Sequence, residues 1–513
     1  MAAAHAETCS LELKRLSERG SPGDYGYRNT YPQSIYMQWA AEGSKTAVRF
    51  AQPGELATFR RIVKKEPAYE SAHPLRGVIK LGSREYAFAL DAVSPNPTPA
   101  KETLPTKESP QARKTAGKKD EKKPDRKKEE AAKAQPTAIA YNRLYFDFNG
   151  NGDLTDDKVI KADERQDGRY ASAGRSFASF AFPRVDVTID VAGKPLEYSF
   201  FLRGYTNVSR DFCWANAQVN AAAYREGYLT IGGKKRHVVL LDFNSNGCFS
   251  DQIRIATDIR TADGRLYPQQ GDMLKIEGEA AKPGRDFPYD IAGSKTWNHV
   301  SKLVSVDGHF YDVEISPTGD RLTLTPSKAS LGAIASPSVP LNAVIYGDSG
   351  FIKIHARPGQ PAAVPVGEWR LLTYEIDRTG MIEPARPKPK TNAKKGSLLE
   401  SIAAKAESAS TGRVRPGSRH GRTIVAAEAT GSFKPVKVIE NATVELALGP
   451  PFKPVVTAFP MGDGQMRLQL SLVGSAGEIC SNMIVDGSRP PKPRLTITDS
   501  KGKIVEQGDF EYG

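Results

Sequence analysis

Carboxylate and carboxamide side chains alternate in one stretch of the sequence, DFNGNGDLTDD, which covers residues 147–157. Counted from Asp147 as position 1, oxygen-bearing side chains stand at positions 1, 3 and 5, and a glycine stands at position 6. This order matches the first half of an EF-hand loop, which binds calcium. The second half departs from that loop, because Lys158 occupies position 12, where a bidentate glutamate is expected. We expect Asp156, at position 10, and Asp157 to close the loop instead.

The same order recurs in DFNSNGCFSD, residues 242–251. Both stretches fit the pattern D-F-N-x-N-G-x-[LF]-[TS]-D, which places an acid at position 10 in each. We therefore predict two strand–loop–strand calcium sites, in which position 7 supplies a backbone carbonyl. The candidate metal ligands are Asp147, Asn149, Asn151, Asp153, Asp156 and Asp157 in the first loop, and Asp242, Asn244, Asn246, Cys248 and Asp251 in the second.

A metal-free interpretation of both loops stays open at this point. Asn-Gly is a strong hairpin signal, and Asx turns account for nearby Asp and Asn residues without a cation. That interpretation does not explain why an acid follows at the same offset twice. The first loop has four aspartates and the second has two, which predicts tighter binding by the first. Without a bidentate glutamate, the expected dissociation constant is about 10⁻⁴ to 10⁻³ M.

The elements around the loops are predicted to be strands. Alternating runs such as VDVTIDV (185–191) and RLTLTP (321–326) are common, and long amphipathic helical patterns are scarce. Asp307-Gly308 between two such runs predicts a type I′ hairpin turn. The order of strand, glycine turn, strand and D-F-N occurs around both loops, so the two regions resemble diverged copies. We predict a mainly β, multidomain protein with antiparallel, hairpin-rich domains.

Two basic segments interrupt the β pattern, and both are predicted to be disordered linkers. Residues 94–138 carry a net charge of +5 and residues 384–422 carry +8, which together equal the whole excess of +13. The remaining chain is neutral overall, which argues against a folded nucleic-acid platform. We predict a β-rich region over 7–330 that the first linker interrupts, a small β domain over 331–383, and an immunoglobulin-like β-sandwich over 423–513 after the second linker.

Several segments together resemble large exported proteins of planctomycete-type bacteria that are functionally uncharacterised and carry D-x-N-x-N-G calcium-type loops. The resemblance spans most of the chain and rests on these segments: ETCSLELKRL, GVIKLGSREYAFALD, the Lys-rich insertion, YNRLYFDFNGNGDLTDDKVI, NAAAYREG, VVLLDFNSNG, DIRTADGRLYPQQGDM and LSLVGSAGE. It implies export and calcium-type loops, but no reaction. Since members of that group carry signal peptides, we expect a periplasmic, cell-surface or extracellular protein whose signal peptide is truncated here.

Catalytic motifs give little support to an enzyme. The segment YGDSGF (346–351) is interpreted as a β-turn, and the seven histidines are isolated in sequence. The four cysteines form no C-x-x-C pair, and Cys213 and Cys248 are either bridged or free. No apolar run is long enough to span a membrane. An aromatic cluster, Tyr25, Tyr27, Tyr31, Tyr36 and Trp39, is either core or a sugar-stacking platform.

The sequence favours a non-catalytic, exported, calcium-binding protein that binds a ligand or has a structural role in the cell envelope or outside the cell. The expected partner is an envelope or extracellular ligand, with carbohydrate as one candidate, and no specific nucleic acid. Two alternatives stay open. One is a secreted hydrolase whose site is assembled from distant residues, and the other is a polyanion binder that acts through the basic linkers.

Overall fold

The computed structural model describes residues 5–18, 27–28, 30–39, 53–93, 138–163, 168–172, 175–209, 213–256, 261, 263–277, 296–336, 338–379, 421–462 and 465–512. Within these ranges the chain forms 34 strands and one helix, so the predicted mainly β fold with antiparallel sheets is confirmed. None of the helical structure in these ranges is long and apolar enough to cross a membrane. Both predicted linkers fall almost entirely outside the described residues.

The elements of the N-terminal half are, in chain order, β1 (Glu7–Ser10), β2 (Glu12–Arg15), β3 (Gln33–Trp39), α1 (Pro53–Ile62), β4 (Leu75–Leu81), β5 (Arg84–Asp91), β6 (Arg143–Phe146), β7 (Ile160–Lys161), β8 (Gly168–Ser172), β9 (Arg175–Ala181), β10 (Val185–Val191), β11 (Lys194–Ser209), β12 (Cys213–Ala221), β13 (Ala223–Ile231), β14 (Lys234–Leu241), β15 (Arg254–Ala256), β16 (Tyr267–Gln269) and β17 (Met273–Glu277).

The remaining strands are β18 (Trp297–His299), β19 (Leu303–Val306), β20 (His309–Ile315), β21 (Arg321–Pro326), β22 (Leu331–Ala335), β23 (Leu341–Gly347), β24 (Gly350–Ala356), β25 (Ala362–Pro365), β26 (Gly367–Asp377), β27 (Ile424–Glu428), β28 (Val436–Val438), β29 (Thr443–Glu445), β30 (Lys453–Gly462), β31 (Gln465–Val473), β32 (Ile479–Ile484), β33 (Arg494–Thr498) and β34 (Ile504–Asp509).

Four sheets surround one large hydrophobic core, called the first core below. Their strand orders are β4-β5-β6-β7, β18-β17-β14-β13-β2, β1-β21-β20-β19 and β3-β12-β11-β9-β8, and β10 also pairs with β11. The alternation predicted for VDVTIDV is present, since Val185, Val187, Ile189 and Val191 of β10 all face this core. Burial of the apolar side chains of the first core supplies the main force that holds the four sheets together.

The strands on either side of the first linker are direct neighbours. β5 and β6 pair antiparallel from Phe88 opposite Phe146 to Asp91 opposite Arg143. This is the arrangement predicted for a long insertion inside one sheet. The pairing also shows that the first loop follows β6, an additional strand on the β4–β5 hairpin, whereas the second loop follows the β13–β14 hairpin directly.

A second core lies between an eight-stranded sheet and a three-stranded sheet. The larger sheet has the order β24-β23-β26-β27-β32-β31-β30, with β28 also on β26, and the smaller has β25-β22-β29. Trp369 and Tyr374 of β26 are among the largest side chains buried in this core. Because β26 pairs with β27, the strands predicted for 331–383 and for 423–513 share one sheet and one core across residues 384–422.

Two turns predicted from the sequence have the backbone conformations that their residue types favour. Asp307 and Gly308 have φ values of 51° and 81°, as the predicted type I′ turn between β19 and β20 requires. YGDSGF forms the end of the β23–β24 hairpin, in which the rings of Tyr346 and Phe351 stack across the strands at 5.4 Å. That segment is therefore a hairpin turn, as predicted.

Candidate metal centre

The first loop (147–157) and the second loop (242–251) have the same backbone conformation in their first halves. Position 4 is in the left-handed region in both, with φ of 72° at Gly150 and 59° at Ser245. Position 6 is left-handed as well, with φ of 84° at Gly152 and 81° at Gly247. The repeated D-x-N-x-N-G sequence thus encodes one loop shape twice, as the pattern predicted.

Asp147 organises the first loop through its two carboxylate oxygens. Its Oδ1 accepts the backbone N–H of Asn151 at 3.1 Å, and its Oδ2 accepts that of Gly152 at 3.0 Å. Asn151 Oδ1 in turn accepts the N–H of Asp153 at 2.6 Å. Each carboxylate oxygen keeps a further lone pair after accepting one N–H, so Asp147 retains the capacity to bind a cation.

The two acids predicted to close the first loop do so in different ways. Asp156 Oδ2 accepts the side-chain amides of Asn151 at 2.7 Å and Asn149 at 3.5 Å, which brings positions 3, 5 and 10 together. Asp157 Oδ2 accepts the backbone N–H of Phe148 at 3.0 Å. Burial raises the pKa of Asp157, and the nearby charges of Asp156 and Asp147 act in the same direction.

Asp153 already has a cationic partner. Lys65, three residues after the end of α1, places its Nζ 2.9 Å from Asp153 Oδ2. The hydrogen bonds from Thr155 and Lys65 hold the pKa of Asp153 at about 2. The side chain of Asp153 is therefore engaged away from the loop centre, which leaves its backbone carbonyl as the ligand predicted at position 7.

The second loop repeats the hydrogen bonds that the acids at positions 1 and 10 make in the first. Asp242 accepts the backbone N–H groups of Asn246 at 3.1 Å and Gly247 at 2.7 Å. Asp251 Oδ2 accepts the side-chain amides of Asn246 at 2.5 Å and Asn244 at 3.0 Å. The structure therefore brings the predicted positions 1, 3, 5 and 10 together in both loops.

Asp272 is a third carboxylate of the second loop, and the sequence pattern did not include it. It directly precedes β17, 21 residues after Asp251 in the chain. Its two oxygens accept the N–H of Phe243 at 3.1 Å and of Asp251 at 2.8 Å. In the first loop the N–H of position 2 is accepted by Asp157, so Asp272 supplies from a neighbouring strand what Asp157 supplies locally.

The second loop buries negative charge without a cationic partner. Asp242 and Asp272 are both 0% exposed, and no Lys, Arg or His within the described residues forms an ion pair with either. Burial raises the pKa of Asp242 to about 7 and raises that of Asp272 well above its usual range. The Tyr198 hydroxyl donates to Asp242 Oδ2 at 2.5 Å, and this bond and the backbone N–H bonds offset part of the cost of burying the charge. A proton or a bound cation would offset the rest.

One oxygen of the second loop has no hydrogen-bond partner at all. Asn244 Oδ1, at position 3, is inaccessible to solvent and unpaired, while its Nδ2 is already used by Asp251 and by the carbonyl of Gln270. A cavity of about 260 Å³ is lined by Asn244, Asn246 and Asp251 and also by the cationic residues Lys80 and Arg254. An orphaned oxygen beside buried carboxylates fits a hard cation such as calcium, which takes six to eight oxygen ligands.

Side-chain acids alone do not form this site. Among the described residues, no group of three or more His, Cys, Asp or Glu side chains is arranged to hold a metal ion. A cation in either loop would therefore need amide and backbone oxygens in addition to the aspartates, as in EF-hand loops. The Cys248 thiol is not suited to be a ligand, since burial raises its pKa to about 12; its backbone carbonyl is the available group.

Other predicted site residues are separated by the fold. All four cysteines are free. Within the described ranges the histidines do not converge: His237 contacts Glu226 and Glu277, His73 stacks on Trp39, and His355 contacts Asn342. Of the aromatic cluster near the start, Tyr25 lies outside the described residues. Tyr27 packs on Tyr224 and Trp297, whereas Tyr36 lies on a sheet surface.

Comparison with known proteins identifies no relative: no family model, no curated protein and no solved structure matches the chain.

Proposed function

We propose that this chain is a non-catalytic, exported, calcium-binding protein with a binding or structural role in the cell envelope or outside the cell. Calcium held by the two loops would fix the ends of the sheets around the first core. The observation that carries the proposal is the pair of buried carboxylates, Asp242 and Asp272, which accept hydrogen bonds but have no cationic partner among the described residues, beside the orphaned oxygen of Asn244.

The second loop is the stronger site in this proposal, in contrast to the order predicted from the sequence. Asp272 brings its carboxylates to three, and none has a lysine or arginine partner in the described structure. In the first loop Lys65 neutralises Asp153. When calcium is bound, it would replace the proton that burial otherwise imposes on the acids of the second loop.

The expected affinity supports the proposed location. Neither loop supplies a bidentate glutamate at position 12, which places the dissociation constant at about 10⁻⁴ to 10⁻³ M. Calcium reaches such concentrations outside cells, whereas cytosolic sensor sites bind far more tightly. Loops of this strength would be filled only in a calcium-rich compartment.

Calorimetry with and without calcium tests the proposal. At about 10 mM calcium, a site of this affinity stabilises the folded state by about 1.4–2.7 kcal/mol relative to a chelator, which raises the melting temperature by several degrees. Magnesium should raise it less, because it keeps its waters and requires a tighter octahedron. Asp272→Asn should remove most of the calcium shift by replacing a buried carboxylate of the second loop.

Matched variants distinguish the contribution of each loop to the calcium shift from a nonspecific effect of ions on stability. Asp147→Asn should remove the smaller part of the shift, which belongs to the first loop. Asp348→Asn lies at an exposed hairpin turn and should leave the shift unchanged. Identical melting curves in calcium and in chelator would show that both loops are metal-free Asx turns and would reject the proposal.

A further inference from the structure

One face of the sheet β3-β12-β11-β9 carries aromatic and amide side chains instead of apolar core residues. Ala215, Ala217 and Val219 of β12 point into the first core, so the alternate positions of that strand point to the opposite side. Cross-strand partners share a face, which places the following residues together on what we call the outer face: Ser34, Tyr36, Gln38, Phe177, Ser179, Arg203, Tyr205, Asn207, Trp214, Asn216 and Gln218.

The aromatic rings of the outer face form a continuous row across three strands. The ring of Tyr205 lies 5.0 Å from that of Trp214 and 5.4 Å from that of Phe177. Tyr36, opposite Asn216 on β3, is 44% exposed. Phe177, Tyr205 and Trp214 are half-buried. A row of aromatic rings that stays partly exposed on a sheet face is typical of a binding surface.

An unsatisfied amide lies at the centre of this row. Asn216 is 0% exposed, and neither its Oδ1 nor its Nδ2 has a hydrogen-bond partner. It stands between Tyr36 and Tyr205 in the register. A buried amide that lacks both partners costs free energy, so a group that both donates and accepts hydrogen bonds would stabilise it.

The charge of the outer face limits the chemical class of ligand that it could bind. The residues of the outer face include no carboxylate, and Arg203 is the cation among them. Arg175, at the end of β9, and Glu197, nearer the start of β11 beside β10, point to the same side of the sheet but lie away from the aromatic row. A nucleic-acid groove needs a row of cations along the phosphate backbone. Hydroxyl and amide groups predominate here instead, and these complement a ligand that is rich in hydroxyls and carries little charge.

We propose that the outer face binds a neutral, extended polysaccharide of β-linked pyranose units. The pyranose rings would stack on Tyr36, Tyr205 and Trp214, and sugar hydroxyls would donate to and accept from the amides of Asn216 and Gln218 once the exposed Tyr36 ring moves aside. A flat sheet face suits an extended chain. The glycan role deepens the binding function proposed above, but it uses none of the calcium ligands.

Affinity electrophoresis and titration calorimetry of the full chain provide the test. The probes are hydroxyethylcellulose, glucomannan and a mixed-linkage β-glucan, with polygalacturonate as the acidic comparison. We expect at least one neutral glycan to bind, with affinity largely independent of salt. Tyr36→Ala and Trp214→Ala should each weaken it at least about fivefold, since each removes one stacking ring.

Two further variants keep the inference falsifiable if Trp214→Ala fails to fold. Asn216→Leu should weaken glycan binding without lowering the melting temperature, because the amide it replaces makes no hydrogen bond. Tyr228→Ala removes a 59% exposed ring that lies on β13, outside the outer face, and should leave binding unchanged.

Three results would overturn the glycan site: no binding of any neutral probe, binding of polygalacturonate alone, or unchanged affinity in both Tyr36→Ala and Asn216→Leu. The calcium shift of the melting temperature, measured on the same preparations, reports separately on the loops. A normal calcium shift without glycan binding would reject the outer face alone.

Discussion

Asp272 shows how a single residue alters the chemistry of a site that sequence pattern only partly describes. The D-x-N-x-N-G pattern identifies the candidate ligands that lie within ten residues of one another, because the loop itself brings them together. Asp272 reaches the second loop only because β17 pairs with β14 from Leu241 opposite Met273 onward. A carboxylate that arrives through sheet pairing leaves no local signal, so the sequence pattern of the second loop could not include Asp272.

His299 makes folding sensitive to acid. Burial, and then the charge of Lys353, lowers the pKa of His299 to about 3, and its Nδ1 has no hydrogen-bond partner. His299 therefore binds a proton near pH 6.5 in the unfolded state, whereas in the folded state it stays neutral until the pH falls to about 3. The contribution of His299 to stability is present above pH 6.5 and is lost as the pH falls toward 3, by about 1.4 kcal/mol per unit.

His299→Gln should reduce this acid sensitivity, because glutamine does not titrate. Chemical denaturation between pH 7 and pH 4 measures the effect as a shallower fall of the unfolding free energy in the variant. His309→Gln changes an exposed histidine at the β19–β20 turn and serves as the control, with a pH profile like that of the parent. Equal slopes for all three proteins would show that folding does not lower the pKa of His299.

At the scale of elements, the position-6 glycines are required by both conformation and space. Gly247 has φ of 81°, and a Cβ there would lie 2.5 Å from Ile189 Cδ1 and 3.0 Å from the backbone nitrogen of Gly82. Gly193, in the β10–β11 turn, has a similar φ of 80° but open space around it. Gly193→Ala should cost about 1 kcal/mol for the left-handed backbone alone.

Gly247→Ala should cost about 1–3 kcal/mol more than Gly193→Ala, because the loop must move away from Ile189 and the β4–β5 turn. It should also weaken the calcium shift, since the displaced loop no longer presents Asp242 to Asn246 and Gly247. Urea denaturation of the two variants in chelator gives the first difference and calorimetry in calcium the second. Equal costs for the two variants would show that the second loop is not packed as described.

The sequence predicts hairpins better than it predicts the outer face. The Asp307-Gly308 turn and the alternation of β10 follow from residues that are adjacent in the chain, and both are present. The outer face joins Tyr36, Tyr205 and Trp214 from three strands, and only the register of β12 with its two neighbours places them together. Sequence pattern predicts which residues share one strand face but not which strands become neighbours.

At the scale of the whole molecule, low apolar content marked two segments that were predicted as linkers, and strand pairing shows what they connect. β5 pairs with β6 across residues 94–137, and β26 pairs with β27 across 380–420. Composition predicts a domain boundary at the second segment, because composition reports burial and not strand pairing. Both segments therefore join strands of the same sheet.

Proteolysis tests this arrangement. Trypsin cleavage between Lys101 and Lys133 should leave the two fragments associated, because β5 and β6 share the first core. Cleavage between Lys388 and Arg419 should likewise leave β27 in its sheet. Size-exclusion chromatography followed by denaturing electrophoresis shows whether the fragments co-elute. Separate elution of either fragment would mean that the pairing strands contribute little to stability.

The distribution of charge predicts a second kind of binding that is independent of the sheets. Residues 94–138 and 384–422 contain the whole excess of +13, so polyanion binding should arise there and be sequence-independent. Heparin and DNA should bind the full chain weakly and dissociate at moderate salt, since exposed charges are screened within about 10 Å at 0.1 M. Deletion of both segments should abolish this binding while neutral glycans still bind the outer face. Undiminished DNA binding after the deletions, measured by fluorescence anisotropy across a salt series, would require a cationic site within the folded sheets.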